Sequence, residues 1–490
     1  MKTLEIKVKG NKAFLVGDYP KKLVDNLTSS PINGFQFSPM FRRKMWDGKR
    51  HLLNKFQGSI PLGLLTKVAL AVKNSGVDVS ITVSDEYTDR LPVVLNTLSL
   101  VQVPDMIGTI TLRDYQKDAM LAFLNPVGVL PYYSIIKCGT GGGKTVISAA
   151  LAKLLNVKTL FLVRGKALKD QTYDVYKMVL DKEDVGRIDS SHWEPDQFTI
   201  ASVDTLYSRL KGEDAQDVKD FLKTIDFLIV DEAHTATSAS FMAVLNCISA
   251  YVRLGLSGTP LKKDPEKDLL LEAFCGPISC DIPASKLQDE GHLAKAWLSS
   301  VIIDSPKLNA LNYVEAKDTL IINNTARTNI LANIIVERYN NNKTIMVLAG
   351  NSVALGENLH AAIQRKISKK KDAVFVYGKT DNAIVNKALD NLRKGKIKIL
   401  ISTVIFDVGV DVPAISCLVV AGGGKSFVKT LQRVGRGLRK KVDGGMLEVI
   451  DCMDTTNHYL LSHSKKRIKY YEEEDLFEGS TILDLDKYRD

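Results

Sequence analysis

The sequence predicts an α/β chain of 490 residues, with a small N-terminal α/β module followed by two tandem parallel-sheet domains. Three observations carry this reading. From Leu112 to about Asp451, short apolar runs alternate with helical stretches of about ten to fifteen residues, the rhythm of βαβ units. That rhythm lasts about 340 residues, too long for one such sheet and about right for two, and GPIS and DIPA interrupt it near Gly276–Ala284. Before Leu112 the texture differs and the charge is uneven: residues 1–105 hold 15 basic and 9 acidic residues, which is +6 of the chain's +10.

Composition removes several classes. Hydrophobic residues make up 45% and charged residues 25%, the balance of a globular chain. No stretch approaches the ~18 apolar residues of a membrane span, and MKTLEIKVKG alternates charged and apolar residues as a strand does, unlike a signal peptide. Six scattered cysteines form no CxxC pair, and seven dispersed histidines form no HExxH, so a zinc ribbon or thioredoxin-like centre is not expected. A reducing cytoplasm suits such cysteines. The basic N-terminal segment points to a polyanionic partner or to a solvated lysine-rich surface.

Within residues 1–105, strands are expected near Leu4–Val8, Ala13–Val16 and Val77–Val83. Gly34–Pro39 reads as a turn region and Trp46-Asp47-Gly48-Lys49 as a tight turn. Leu62 to Asn74 has helical apolar spacing, closed by Ser75-Gly76.

The first chemical site is Tyr132–Thr145, YYSIIKCGTGGGKT. An apolar strand enters a glycine-rich turn, then Lys-Thr, then the helix VISAALAKLL. Around Thr140, the glycines Gly139, Gly141, Gly142 and Gly143 let backbone N–H groups converge on phosphate oxygens. The helix N-terminus adds unpaired donors and a positive dipole end. Lys144 can reach β- and γ-phosphates, and the Thr145 hydroxyl can hold Mg²⁺. The full pattern wants glycine where Cys138 stands. A second run, Ala421–Ser426 (AGGGKS), also follows a strand, but two phosphate loops in one ATPase unit would be redundant, and it reads as a flexible turn.

The second site is Phe227–His234, FLIVDEAH: a buried strand ending in two carboxylates at the ligand-binding edge of an open α/β sheet. Asp231 is placed to hold Mg²⁺, Glu232 to orient and deprotonate an attacking water, and His234 to sense the γ-phosphate and relay to neighbours.

With both sites in place, residues 110–450 resemble the superfamily 2 helicases and translocases, motif by motif and in order. The resemblance implies two RecA-like motor domains with ATP and Mg²⁺ in their cleft. It makes Gln116, in LRDYQ, the adenine contact. Arg164 in LVRGKALKDQ and Thr205 in SVDTL fall in nucleic-acid-contacting motifs, although the family often has Pro-Thr where this chain has Arg164-Gly165. Ser257 and Thr259, in SGTP, would link ATP state to strand grip. Asn351 follows the backbone-contacting strand that opens the second domain. In ISTVIFDVGVDVP, Thr403 would touch nucleic acid, and Gly409 and Asp411 would approach the nucleotide. Gln432, in QRVGRGLR, would couple the two functions, and Arg433 would brace the interface. Arg436 and Arg439 share a helix face and would act as fingers on the γ-phosphate when the domains close.

The N-terminal run FSPMFRRKMWDGKRHLLNKFQGSIPLGLL resembles the small DNA-binding domain of phage branch-migration helicases of the UvsW type. Arg42, Arg43, Lys44, Lys49 and Arg50 are its candidate nucleic-acid contacts. Phe41, Trp46 and Phe56 either stack on bases or fill a small core. The tail SKKRIKYYEEEDLFEG either faces DNA with its basic half or packs as a cap.

The expected organisation is a DNA-binding module over residues 1–105, an ATP-binding RecA-like domain over 106–280, a second RecA-like domain over 281–462 and a helical tail over 463–490. The resemblance implies an ATP-dependent grip on phosphates with little sequence preference and 3′-to-5′ movement on branched, duplex and single-stranded DNA, with RNA met in RNA–DNA hybrids. A monomer in the cytoplasm, with no membrane association, is the expected state. An RNA helicase, a motor subunit of a larger DNA-processing complex, and a nucleotide-gated scaffold are the rival readings.

Overall fold

The computed structural model describes residues 2–83, 102–124, 132–139, 141–164, 166–180, 184–258, 264–403, 415–424, 446–473 and 477–489. Two compact units emerge, one of residues Met1–Gly139 and Gly143–Ile282, the other including Pro283–Asp490.

The first unit contains the N-terminal module and the first large sheet. Thr3–Lys9 and Lys12–Gly17 pair antiparallel, and Asp78–Val83 lies parallel to Thr3–Lys9. Alternation of buried Leu4, Ile6 and Val8 with polar residues turns one face of this sheet to the helix Leu65–Asn74, which buries Leu65, Val68, Ala69 and Val72. The strand Ser59–Pro61 joins the free edge of Lys12–Gly17, and a short ribbon pairs Ser29–Pro31 with Lys49–His51. These three-residue segments carry no periodicity a sequence reading can detect.

The large sheet has eight strands, in the order Trp193–Glu194, Val185–Ile188, Phe198–Ser202, Thr159–Val163, Phe227–Asp231, Val252–Ser257, Tyr132–Cys138 and Ile278–Ile282. All pair in parallel except the first two. The central strands are buried along their whole length, as helices on both faces of a parallel sheet require. The region around Gly276–Ala284 therefore starts as the edge strand Ile278–Ile282 of this sheet.

The second unit holds a seven-stranded, all-parallel sheet in the order Ala373–Val376, Ile399–Ser402, Ile345–Leu348, Cys417–Val420, Leu447–Asp454, Ala296–Ile303 and Phe477–Ile482. Helices Thr325–Asn340 and Val353–Lys366 pack their apolar faces into its core. One helix, His458–Glu473, crosses position 463, and the strand Phe477–Ile482 then closes the sheet edge against Ala296–Ile303. Arg467, in the basic run of the tail, is buried, so that part of SKKRIKYY packs as a cap. Two tandem parallel sheets with a small α/β module are the fold class the sequence predicts. Among the described residues no helix is long and apolar enough to cross a membrane.

Candidate functional site

Parallel pairing places the ends of five adjacent strands of the first sheet on one edge: Ser202, Val163, Asp231, Ser257 and Cys138. The segments that follow them carry the candidate residues, because chain reversals in such a sheet leave the ligand-binding loops at the carboxyl ends of the strands.

The glycine-rich loop emerges from Cys138. Gly141 and Gly143 both have left-handed backbone, at φ 85° and 76°, and Gly143 is the N-cap of the helix Lys144–Leu155. A Cβ on Gly143 would also lie 2.3 Å from Gln116 Nε2, so position 143 has neither the backbone freedom nor the space for a side chain. Gln116 is thereby brought against the loop, its Oε1 accepting the Arg113 N–H at 3.0 Å. Lys144 is buried, and its Nζ donates to the Cys138 carbonyl at 3.1 Å. That single neutral acceptor leaves the ammonium charge uncompensated by any carboxylate partner among the described residues. Such a cradle, with a helix N-terminus, a lysine and the Thr145 hydroxyl, has the donor set a triphosphate and its Mg²⁺ require. Cys138 itself is a packed thiol, pushed up to about 11 by burial.

Asp231 ends its strand nearly buried and accepts the Glu232 N–H at 2.9 Å. Glu232 follows with φ 46°, a left-handed conformation uncommon outside glycine, which costs of order 1–3 kcal/mol. This turn aims the Glu232 carboxylate at His234: Nδ1 of the ring lies 3.2 Å from Glu232 Oε2 and 3.0 Å from Ser257 Oγ. His234 thus joins the acidic pair to the end of the neighbouring strand, on which the SGTP motif begins. His234 and Ser257, 23 positions apart, are in direct contact.

Farther along the same edge, Arg164 donates to Ser240 Oγ at 2.8 Å and stands 3.6 Å from Asp204, beside Thr205 in the first turn of the helix Val203–Arg209. In the second unit, Asn351 and Thr403 follow the adjacent strands Ile345–Leu348 and Ile399–Ser402, so they too share a sheet edge; Asn351 is exposed and Thr403 buried. The run Ala421–Gly424 lies there as well. A Cβ on Gly422 would come within 2.5 Å of the Gly350 nitrogen, so this glycine serves close backbone packing. Thr140, Thr259, Gly409, Asp411, Gln432, Arg433, Arg436 and Arg439 lie outside the described residues.

In the N-terminal module, Arg42, Arg43 and Lys44 are exposed. Lys49 is half-buried, and Arg50 Nε pairs with Glu266 Oε1 at 2.5 Å on the helix Pro265–Cys275 of the large sheet domain. Asn33 to Asp264 at 2.8 Å and Lys67 to Glu272 at 2.7 Å complete that contact. Trp46 is half-buried, its Nε1 donating to the Lys49 carbonyl at 2.9 Å, whereas Phe56 is wholly exposed.

Sequence reasoning does not reach two buried ion pairs of the second unit. Arg327 donates from Nε to Asp454 at 2.8 Å and from Nη2 to the Ala421 carbonyl at 2.9 Å. Arg467 grips Asp451 through Nε and Nη2 at 2.9–3.2 Å and donates to the Gly424 carbonyl at 3.3 Å. Both arginines therefore hold the ends of the Ala421–Gly424 turn. Burial opposes their charge, yet the paired aspartates keep each guanidinium more firmly protonated than usual. The partners are 127 and 16 positions apart, with no shared motif to connect them.

Two family models match the chain: the res subunit of type III restriction enzymes over residues 109–262, and the helicase conserved C-terminal domain over 326–441. The ATP-dependent DNA helicase uvsW of Enterobacteria phage T4 is 25% identical over 484 residues, covering 91% of this chain and 92% of that protein. The DNA 3'-5' translocase XPB2 of Sulfurisphaera tokodaii is 25% identical over 407 residues, covering 74% and 87%. Among solved structures, the DNA-bound ATP-dependent Type ISP restriction-modification enzyme LlaBIII is alike in fold, with a TM-score of 0.54 at 15% identity, over 74% of this chain and 29% of that one.

Proposed function

We propose that this chain, which belongs to the superfamily 2 helicases and is a nucleic-acid-dependent ATPase of the DNA helicase and translocase kind, works on branched DNA. Forks, junctions and R-loops are its substrates, and 3′-to-5′ its direction, in replication, recombination or repair. The observation that carries the reading is the contact of His234 Nδ1 with both Glu232 Oε2 and Ser257 Oγ, because it sets a carboxylate suited to hydrolysis beside the strand that leads into the grip motif. The names of the two relatives favour DNA over RNA, and that of the archaeal translocase favours the direction.

The chemistry follows from the residues. Phosphate oxygens would be cradled by the backbone N–H groups after Gly139 and by Lys144, whose Nζ donates to the neutral Cys138 carbonyl. Thr145 and Asp231 would hold Mg²⁺, which neutralises charge developing on the phosphates. Glu232 takes the proton of the attacking water, a general-base role worth typically ~10²–10⁴ in rate. His234 holds that carboxylate in place, and Ser257 receives the change through the same ring. Loss of the γ-phosphate then alters what the neighbouring strand end can bond, and grip follows ATP state. Arg42, Arg43 and Lys44 of the N-terminal module add phosphate contacts that are indifferent to sequence.

The test is ATP turnover and strand separation measured over single strands, duplexes, forks, four-way junctions and RNA–DNA hybrids. DNA should stimulate turnover, and forks or junctions should be the best substrates for separation. Equal stimulation by RNA, or turnover indifferent to any nucleic acid, would overturn the assignment.

A further inference from the structure

We propose that the turn Phe35–Asp47 of the N-terminal module binds unpaired nucleotides of branched DNA, lodging a base against Met45 and Trp46. The proposal rests on the DNA reading above and names the part of the substrate this surface takes.

The turn sorts its apolar side chains into two groups. Phe35 and Phe41 pack edge to face, with ring centroids 4.7 Å apart, and Trp46 is anchored through its Nε1 to the Lys49 carbonyl. These three form the floor of the turn. Phe37, Met40 and Met45 are exposed instead, at 70%, 54% and 69%, and Met45 also lines the groove beside them. One exposed large apolar residue is ordinary on any surface; three within nine positions mark a contact site.

Beside them runs an open groove of about 580 Å³, lined by Phe41, Arg42, Lys44, Met45, Trp46 and Asp47 among others. Its floor is aromatic and thioether, and its rim is cationic. Asp47, the one carboxylate there, is already committed: it accepts from the Lys49 N–H at 3.0 Å and lies 2.8 Å from His51 Nε2. Arg43 and Lys44 have no ion-pair partner among the described residues, and Arg42 donates only to the Gln36 carbonyl, at 3.3 Å.

An apolar floor with a positive rim fits a flat π surface joined to a phosphate, which is a nucleotide. Bases within a duplex already stack on their neighbours and offer no free face, so the groove selects unpaired ones. The module is also held in a fixed place. Arg50, Asn33 and Lys67 tie it to the helix Pro265–Cys275, which begins eight positions after Ser257. An unpaired base captured here sits on a body fastened to the element that follows the grip motif.

The experiment uses the full chain and forked DNA carrying 2-aminopurine, either in a single-stranded arm or in the duplex arm. Binding should change the emission of the unpaired analogue and leave the paired one unchanged. The double variant Met45→Ser/Trp46→Leu, shown to be folded by circular dichroism, should bind forks about five- to a hundredfold more weakly, the range for losing one or more stacking contacts. Its affinity for plain duplex should stay within twofold. Photocrosslinks from 4-thiothymidine in the single-stranded arm should map to Phe37–Trp46. A folded variant that binds forks like the parent, or that loses fork and duplex affinity equally, overturns the groove. If the parent shows no stimulation of turnover by DNA, the DNA reading itself falls; if stimulation persists while the variant is unaffected, only the groove does.

Discussion

Replacing Arg467 with alanine should unfold the second sheet domain at much lower denaturant. The guanidinium is 1% exposed and meets both oxygens of Asp451, the carbonyls of Gly424 and Cys452, and the Ser464 hydroxyl. Without it, the Asp451 carboxylate stays buried with the Tyr471 hydroxyl donating at 2.6 Å. Breaking a buried pair from one side costs about 3–5 kcal/mol, because the stranded charge has no water to return to. At a urea slope of about 2 kcal/mol/M, the midpoint should fall by about 1.5–2.5 M. The chain has three tryptophans, and Trp297 lies on the strand Ala296–Ile303, which pairs with the strand carrying Asp451. A Trp46→Phe/Trp193→Phe background therefore makes emission report this sheet alone. Asp451→Asn combined with Arg467→Met removes both charges and keeps an acceptor for Tyr471, and should recover much of the loss, with a coupling of about 1–3 kcal/mol. A midpoint shift under about 0.3 M for Arg467→Ala, or a double variant as unstable as the two single losses added, would refute the reasoning.

Three other outcomes are expected. Lys144→Ala should weaken ATP binding, whereas Glu232→Gln should bind ATP normally and lose about 10²–10⁴ in turnover; isothermal titration beside steady-state ATPase separates the two, and near-normal turnover by Glu232→Gln would sink the base assignment. Replacing Arg42, Arg43 and Lys44 with alanine should make the slope of log affinity against log salt shallower by up to about three, since each phosphate contact contributes ~0.9; junction affinity at several salt concentrations reads it, and an unchanged slope in a folded protein excludes these residues as contacts. His51 lies 2.8 Å from each of Asp25 and Asp47, and the Asp25 hydrogen bond, opposed by burial and aided by Asp47, raises it above its ordinary 6.5. Despite burial, His51 and Lys55 hold Asp25 below 3.8. The His51 contribution is complete below about 6.5 and fades as pH rises through its raised value, while that of Asp25 fades as pH falls below 3.8. Amide protection of Ser29, Ser30 and Lys49–His51, corrected for intrinsic exchange, should therefore fall from about pH 6 to about pH 8 in the parent and stay flat in His51→Gln.

What the sequence by itself determined was contiguous. A strand, glycine-rich turn and helix in succession, and an acidic strand end after a single apolar run, are built from neighbouring residues, so the local form of Gly139–Thr145 and Phe227–His234 can be read without knowing what surrounds them. The same holds for the two-sheet rhythm, since βαβ units repeat locally. The tertiary structure decided what depends on distant partners. Arg50 looks like any member of a basic cluster until Glu266, 216 positions away, is seen beside it. The glycines of Ala421–Gly424 resemble a phosphate cradle in composition, but Gly422 packs against the Gly350 backbone, and Gly423 and Gly424 take left-handed φ values of 54° and 112°. Arg467 lies in a run that reads as a solvated tail, yet it is buried against Asp451. A cation's role is set by whether a counter-charge and low dielectric meet it, and chain spacing encodes neither. The exposed Phe37 and Met45 and the anchored Trp46 follow the same rule: which aromatic faces solvent depends on how a turn folds over its own floor, through contacts too irregular for any periodic pattern to announce.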